Sequence, residues 1–308
     1  MIERREIRSR ETWLEWRKRD VTASAVGALF GCHPYVTPLR LFVEKRGTEF
    51  PPLEDNKVLR RGRWMEPAIG KAVMELKPEW RLIPCTEYFS DEELHLGATP
   101  DFFIEGDPRG LGILQSKSVA PSVYQREWAD GTEVPLWVIL QATTECMLAD
   151  AKFCAVAALL IDAHQMDCAI HELPRNPAAE EKIKRAVESF WVSVAEGVEP
   201  EIDFTRDADV VKAMWRKEAE PQIEIDLSGD NRIPELLAER ATLKQVMKDA
   251  DTRIEAIDTE IKFIMKDAAV ATGVPGWRLS FKTTNYKSYT VAARTSRILR
   301  AVDQREKA

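Results

Sequence analysis

Thr99-Pro100-Asp101 and Gln115-Ser116-Lys117 are the two short stretches that decide the fold of this chain. Asp101 follows one strand-like segment, and the second stretch lies on another strand-like segment further along the chain. Side chains two residues apart on a strand point to the same face, so Gln115 and Lys117 share one side of it. The pair of stretches therefore predicts a polar site built on a small β-sheet from an acid, an amide and a lysine.

Strand-like segments surround these stretches on both sides. They are short, β-prone and separated by turn residues, and the segment after residue 152 has few polar residues, which predicts burial on both faces. The predicted strands are Arg81–Ser90, Leu94–Ala98, Phe102–Glu105, Leu111–Val119, Phe153–Asp162 and Met166–Leu173.

Helical patterns flank the strands, and several carry recognisable start and stop residues such as Thr22, Pro38 and Asn176. The order of helices, antiparallel strands, helix and strand predicts an α/β fold, a sandwich around one central mixed sheet. The predicted helices are residues 10–19, Ala23–Phe30, Pro38–Gly47, Lys57–Lys77, Val134–Ala149 and the segment from Asn176 to about Gly197.

Composition limits the class of protein. The chain has 308 residues, of which 44% are hydrophobic and 31% charged, as in a globular protein with one large domain or a domain and an appendage. The longest apolar run, Phe153 to Ile161, is too short for a membrane span, and the N-terminal residues lack a secretory signal. We therefore expect a cytoplasmic protein without membrane association, whose five cysteines are reduced thiols.

The net charge of −7 argues against a protein that coats nucleic acid through bulk charge. It leaves room for a local basic groove, since carboxylates at a metal site also count in the total. Local basic clusters include Arg17-Lys18-Arg19 and Arg60-Arg61-Gly62-Arg63. The alternative interpretation of each cluster is a solvated face of a helix. Arg63 is a candidate for DNA binding on this ground.

The last third of the chain has a different pattern. We divide the chain into a core, residues 1–205, and an accessory region, 206–308, that holds a long helix over 231–270, a short hairpin and a tail. The predicted hairpin strands are Trp277–Thr283 and Tyr286–Val291. The helix either forms a coiled coil or packs along the core as an ordinary amphipathic helix. Its apolar positions approach a heptad spacing: Leu236, Leu243, Met247, Ala250, Ile254, Ile257, Ile261, Ile264 and Ala268.

The polar site has residue types that suit phosphodiester hydrolysis. That reaction needs an activated water and an electrophilic phosphorus, and a divalent metal ion supplies both effects. Mg²⁺ prefers oxygen ligands, usually one or two carboxylates with water and phosphate. Asp101 is the expected metal ligand and residue 115 the second, while Lys117 can orient water or stabilise developing charge. Glu66 completes the predicted site, and Asp91 is a weaker candidate.

With these residues in this order, the chain resembles the YqaJ-like phage recombination nucleases, which are relatives of phage λ exonuclease in the PD-(D/E)XK superfamily. The resemblance covers roughly residues 10 to 165 and implies a restriction-endonuclease-like core. Its ordered blocks are Trp13-Leu-x-x-Arg17, Thr22-Ala-Ser24-Ala-Val-Gly-Ala-Leu-Phe-Gly31, Phe42-x-x-Lys45-x-Gly47, Gly62-x-x-x-Glu66-Pro, Thr99-Pro-Asp101 and Leu140-Gln141.

The resemblance implies a role for each matching residue. Asp101, position 115 and Glu66 would be the metal-site residues, Lys117 the motif lysine, and Gln141 a helical residue near the active site. An Arg and a Ser at the positions of Arg17 and Ser24 receive the terminal phosphate of a DNA end. The implied activity is 5′-to-3′ degradation of one strand of linear duplex DNA with Mg²⁺ or Mn²⁺. The implied partners are further copies of the chain, a trimer by analogy, and a single-strand annealing protein.

Gln115 departs from the family, which has Glu at this position. Three interpretations are open: a neutral amide ligand in an active site, an introduced substitution that traps an uncleaved complex, or a non-cleaving member that binds DNA ends. Three functions accordingly compete. They are a recombination exonuclease, a catalytically weakened end-binding or assembly protein on the same fold, and a coiled-coil adaptor whose helical arm binds a partner.

Overall fold

The computed structural model describes residues 1–50, 57–164, 166–288 and 297–301. The chain divides into two compact units, Met1–Trp215 and Arg216–Ala308. The first unit extends past residue 205, where the sequence analysis places its boundary, because Thr37 donates a hydrogen bond to the buried Asp207. In the described ranges, no helix is both long and apolar enough to cross a membrane.

Three helices of the first unit begin at side chains that cap them. The side chains of Ser9, Thr37 and Asn176 each accept a backbone hydrogen bond in the first turn of a helix, and Gly197 ends one in the left-handed conformation with φ of 73°. The α-helices are α1 Arg10–Arg19, α2 Val26–Leu29, α3 Pro38–Lys45, α4 Lys57–Leu76, α5 Pro121–Glu127, α6 Leu136–Leu148, α7 Pro177–Glu196 and α8 Ala208–Met214.

Strands of the first unit form two sheets in its described residues, where the sequence predicts one. A five-stranded mixed sheet has the order β3-β6-β7-β8-β9, with β7 and β8 parallel, and a four-stranded sheet has the order β1-β4-β5-β2. The strands are β1 Ile2–Glu6, β2 Val21–Thr22, β3 Arg81–Pro84, β4 Glu87–Asp91, β5 Leu96–Ala98, β6 Phe102–Glu105, β7 Gly112–Val119, β8 Phe153–Ile161 and β9 Met166–Pro174.

The second sheet arises because the segment predicted as one strand over Arg81–Ser90 is interrupted. Its first part, β3, pairs with β6, whereas its second part, β4, pairs with β1 and β5. The prediction of a mixed central sheet flanked by helices is nevertheless confirmed by the five-stranded sheet. β5 and β6 belong to different sheets, and Thr99-Pro100-Asp101 lies in the connection between them.

Strand β7 lies between two helices, and its side chains alternate between them. Leu114 belongs to the apolar cluster that includes Ile69 of α4. Ile113 and Val119 belong to the larger cluster that includes the buried face of α6. The same alternation places the side chains of positions 115 and 117 toward α6, which is the geometry expected from a strand period of two. The fold thus puts polar side chains of β7 against the buried face of α6, which itself carries Gln141 and Glu145.

The second unit contains α9, Arg232–Met265, followed by a hairpin of β10, Val270–Val274, and β11, Trp277–Ser280. The long helix predicted over 231–270 is present. The predicted hairpin is shifted, because Gly276, with φ of 75°, turns the chain between β10 and β11 instead of following the end of the helix. Residues 289–296, which include part of the predicted second hairpin strand, lie outside the described residues.

Candidate active site

Asp101 is held at the edge of β7 by three hydrogen bonds to one carboxylate oxygen. Its Oδ2 accepts from the backbone N of Ser116 at 2.7 Å, from Ser116 Oγ at 2.6 Å and from Gln115 Nε2 at 2.8 Å. Burial raises the pKa of Asp101, while the Ser116 hydrogen bonds and the Lys117 charge act in the opposite direction. The two stretches singled out in the sequence therefore meet in space.

Lys117 begins a hydrogen-bonded chain that runs from β7 into α6. Its Nζ donates to Gln141 Oε1 at 2.8 Å, and Gln141 Nε2 donates to Glu145 Oε1 at 2.9 Å. The ammonium also lies 5.0 Å from the centre of the Trp137 ring. Burial lowers the pKa of Lys117, and the charges of Asp101 and Glu145 oppose this shift. The predicted proximity of Lys117 and Gln141 is thus observed.

Two buried oxygens in this cluster have no hydrogen-bond partner. They are Gln115 Oε1 and Glu145 Oε2, on side chains that are 5% and 1% exposed. Burial raises the pKa of Glu145 well above its usual range, and the nearby charge of Asp101 adds to this effect. Buried polar groups without partners are costly, so both atoms are candidates for contact with a bound ligand.

Glu66 lies on α4, on the turn that contains Pro67. Burial and, secondarily, the charge of Asp101 raise the pKa of Glu66 to about 7. The Asp101 contribution places the two carboxylates near one another in electrostatic terms. Glu66 therefore lies within electrostatic range of Asp101, and its place at the metal site stays a prediction.

Arg17 and Ser24 are in contact, as the sequence comparison implies. An Arg17 Nη2 hydrogen bond reaches Ser24 Oγ at 3.2 Å, and the guanidinium lies 4.5 Å from the centre of the Trp13 ring. Ser24 and Trp13 are neutral, so neither offsets the positive charge of the Arg17 guanidinium. Lys45 adds a second cation nearby, since its Nζ donates to the backbone oxygen of Arg17 at 3.0 Å.

Trp13 connects this basic group to the acidic one. Its Nε1 donates to Thr99 Oγ1 at 3.0 Å, two residues before Asp101 along the chain. Burial also lowers the pKa of Arg17, an effect that the charges of Tyr88, Glu145 and Glu44 oppose. The Trp13 hydrogen bond thus links the helix that carries Arg17 to the loop that carries Asp101.

Two predicted residues lie apart from this cluster in their contacts. Arg63 is exposed on α4. Asp91 ends β4, where its carboxylate accepts backbone hydrogen bonds from Glu93 and Leu94 and lies 3.9 Å from the N-terminal amine. Its turn-capping contacts explain this acidic residue, so the assignment of Asp91 to the active site is not supported by the geometry.

Glu145 is the site residue that the sequence reasoning missed. A signal for it existed, because it is the one acidic residue in the apolar sequence Leu136–Leu148 and follows Gln141 by one helical turn. Only Gln141 of this helix was predicted to lie at the site. A lone carboxylate on the buried face of such a helix needs a partner, and Gln141 supplies it on one oxygen.

The donor set suits a divalent cation that prefers oxygen. In the described part of the chain, no three His, Cys, Asp or Glu side chains form a ready metal cluster. Asp101 and Gln115 are nevertheless in direct contact, and the unpartnered amide oxygen of Gln115 is a neutral ligand of the type that Mg²⁺ accepts. Asp101 and Gln115, with Glu66 beside them, are the residues that would hold such an ion.

Residues 12–152 match the YqaJ-like viral recombinase domain. This match confirms the resemblance inferred from the ordered sequence blocks and covers every residue of the cluster described above. Over 264 residues, the chain is 24% identical to the uncharacterized protein YqaJ of Bacillus subtilis (strain 168), with 84% of this chain and 79% of that protein aligned.

Solved structures of exonucleases are also similar to this chain. The alkaline exonuclease LHK-Exo from Laribacter hongkongensis is 18% identical and gives a TM-score of 0.46, with 61% of this chain and 93% of that chain covered. A phage-related exonuclease from Haemophilus somnus 129PT is 13% identical and gives a TM-score of 0.41, with 58% and 96% covered.

Proposed function

We propose that this protein is a metal-dependent DNA exonuclease of phage-type homologous recombination, which degrades one strand of linear duplex DNA from 5′ to 3′ in the cytoplasm of a bacterial host. The observation that carries the proposal is the connection of an acidic cluster to a basic pocket. Gln115 donates a hydrogen bond to Asp101, and Lys117 donates one to Gln141 of α6. Trp13 donates to Thr99, two residues before Asp101, and its ring lies against the Arg17 guanidinium. An acidic group beside a basic group suits a phosphodiester close to a terminal phosphate.

Each side chain has a role in this proposal. Arg17 and Ser24 bind the 5′-phosphate through charge-assisted hydrogen bonds, and Lys45 adds positive potential. Lys117, fixed by Gln141, donates toward the charge that develops on the phosphate. Asp101, Gln115 and Glu66 would hold Mg²⁺ or Mn²⁺, which would supply Lewis acidity and a nucleophilic water. Arg63, exposed on α4, contacts the DNA backbone.

A second candidate function is a DNA-end-binding or assembly protein with weakened catalysis. It is favoured by the hydrogen bond from Gln115 Nε2 to Asp101 Oδ2, which presents a donor where the family has a carboxylate. The partners proposed for either function are duplex DNA ends, further copies of this chain in a ring that is a trimer by analogy, and a single-strand annealing protein. A coiled-coil adaptor role for α9 is compatible with both.

Digestion of linear duplex DNA in Mg²⁺ tests the proposal. We expect the parent protein to release nucleotides from a 5′-phosphorylated end, and Lys117→Ala to cut about 10²–10³-fold more slowly because a donor to the transition state is lost. Gln115→Glu should increase cleavage at low Mg²⁺ by restoring a carboxylate. If Gln115→Glu cuts and the parent does not, the end-binding function replaces the exonuclease.

A further inference from the structure

Position 115 leaves the site one carboxylate short of the family pattern, and Glu145 is a buried carboxylate that the proposed mechanism does not use. Glu145 is 1% exposed, and its Oε2 lacks a hydrogen-bond partner. Gln115 Oε1 also lacks a hydrogen-bond partner, and its side chain is 5% exposed. Two unpartnered oxygens in one buried polar cluster point to a shared electrophilic ligand.

The topology places residues 115 and 145 at a similar height along the interface between β7 and α6. β7 and β8 are parallel neighbours, and α6 lies in the crossover between them, so α6 runs back against the direction of β7. The hydrogen bond between Lys117 and Gln141 fixes the register of strand and helix. The step from residue 117 back to 115 covers about 7 Å of strand. The step from residue 141 to 145 covers about 6 Å of helix in the same direction.

Electrostatics supports this placement. Burial is the main cause of the raised pKa of Glu145; the charge of Asp101 adds to it, and the charges of Lys117 and Arg17 oppose it. Asp101 in turn accepts a hydrogen bond from Gln115 at 2.8 Å. Asp101 thus contacts Gln115 directly and lies within electrostatic range of Glu145.

We propose that Glu145 supplies the carboxylate that position 115 lacks and binds a divalent cation together with Asp101 and the amide oxygen of Gln115. This inference rests on the proposed function, whose site it completes. Two carboxylates and an amide oxygen form a hard-oxygen set suited to Mg²⁺ or Mn²⁺.

A purely structural role for Glu145 explains less of the geometry. Its Oε1 accepts one hydrogen bond from Gln141, and a neutral glutamine at position 145 would provide the same acceptor. A buried carboxylate with an empty oxygen is costly unless a cation or further donors compensate it. A cation shared with Asp101 gives the unpartnered oxygen a partner and explains why the residue is acidic.

Binding of Mn²⁺ to the full-length protein without DNA, measured by isothermal titration calorimetry and by electron paramagnetic resonance, tests the inference. We expect Glu145→Gln to weaken Mn²⁺ binding at least tenfold. Glu180→Gln is the matched control, since Glu180 is also a buried glutamate on a helix but pairs with Arg175 at 2.8 Å. The control should change Mn²⁺ affinity less than twofold, and circular dichroism should show both variants folded.

A second experiment moves the carboxylate from position 145 to position 115. The double variant Gln115→Glu with Glu145→Gln should bind Mn²⁺ within about threefold of the parent, because it moves the carboxylate from helix to strand. Equal Mn²⁺ affinity of the parent and Glu145→Gln, or no binding by the parent, overturns the inference. DNA digestion separates the inference from the proposed function. If Glu145→Gln binds Mn²⁺ as tightly as the parent and still cleaves DNA, only the role given to Glu145 is wrong. If Mn²⁺ binding depends on Glu145 but the parent does not cleave DNA, the exonuclease function is wrong.

Discussion

The two units of this protein depart in opposite ways from the rule that apolar side chains lie inside and charged ones outside. The first unit buries charge: Glu145 is 1% exposed within an otherwise apolar helix. The second unit exposes apolar surface: along α9, Met247 is 66% and Ile254 57% exposed. Each departure costs free energy in the isolated chain. We assign a cation to the buried carboxylate and a second copy of the chain to the exposed apolar stripe.

The largest expected effect is on the apolar stripe of α9. The double change Ile254→Asp with Ile257→Asp should weaken self-association at least a hundredfold, since each apolar side chain buried in an interface contributes about 1.5–3 kcal/mol. Sedimentation velocity over a concentration series measures it. The matched control is Glu255→Gln, on an exposed residue of the same helix. A parent that stays monomeric throughout would show that the stripe meets a different partner.

The next effect concerns the basic pocket. Arg17→Ala should remove the preference for 5′-phosphorylated over 5′-hydroxyl ends, a change of about a hundredfold if the guanidinium forms a bidentate pair with phosphate. Initial digestion rates on the two substrates measure this ratio. Arg10→Ala, on an exposed residue of the same helix, should keep the preference. A parent that digests both ends equally would remove the basis of the Arg17 assignment.

A third test asks whether buried charge reduces stability. Without metal, Glu145→Gln should increase the free energy of unfolding by about 1–3 kcal/mol at neutral pH, because the variant avoids burying a carboxylate. Urea unfolding in the presence of a chelator measures the change. Because burial raises the pKa of Glu145, the gain should shrink as pH falls and vanish below about 4.5, where Glu145 is protonated in both states. A marked loss of stability would instead show that Glu145 is a structural anchor.

The smallest expected effect is the pH dependence due to Glu66. Its pKa rises to about 7 in the folded protein, so the folded state holds this proton more tightly than the unfolded state. Metal-free stability should therefore fall as pH rises from about 4.5 to 7. The Glu66→Gln variant should lack this component, on the order of 1–2 kcal/mol after screening by solvent. Parallel pH profiles of the two proteins would contradict the assignment.

Local pattern predicted much of the fold. The caps and periodicity of α3, α4 and α7 and the apolar run of β8 gave bounds close to the observed ones. Strand β1 was missed because its sequence, Ile2–Glu6, has little alternation and is held by pairing with β4. The hairpin was misplaced because the glycines and proline of residues 273–276 signal a chain reversal without showing which segments pair across it.

Most residues of the site could be predicted from sequence patterns. Asp101 and Gln141 were predicted from ordered blocks, and Gln115 and Lys117 from the alternation of a strand; hydrogen bonds join Asp101 to Gln115 and Lys117 to Gln141. Glu145 was missed because its place depends on the register of α6 on β7, although a lone acidic residue in an apolar helix was a local signal. Asp91 was included for its spacing from Asp101 and for the acidic position that the resemblance implies, and its carboxylate caps a turn.

The hydrogen bond from Trp13 to Thr99 has a consequence for the products of the proposed reaction. It links the helix that carries Arg17 to the loop that carries Asp101 at 3.0 Å. The anchor for the terminal phosphate and the group beside the reacting phosphorus then keep a constant separation. In the proposed reaction, this constant separation would make every cut remove a fragment of the same length. Replacing Trp13 with Phe would keep the ring and remove the donor, and the fragments should become uneven.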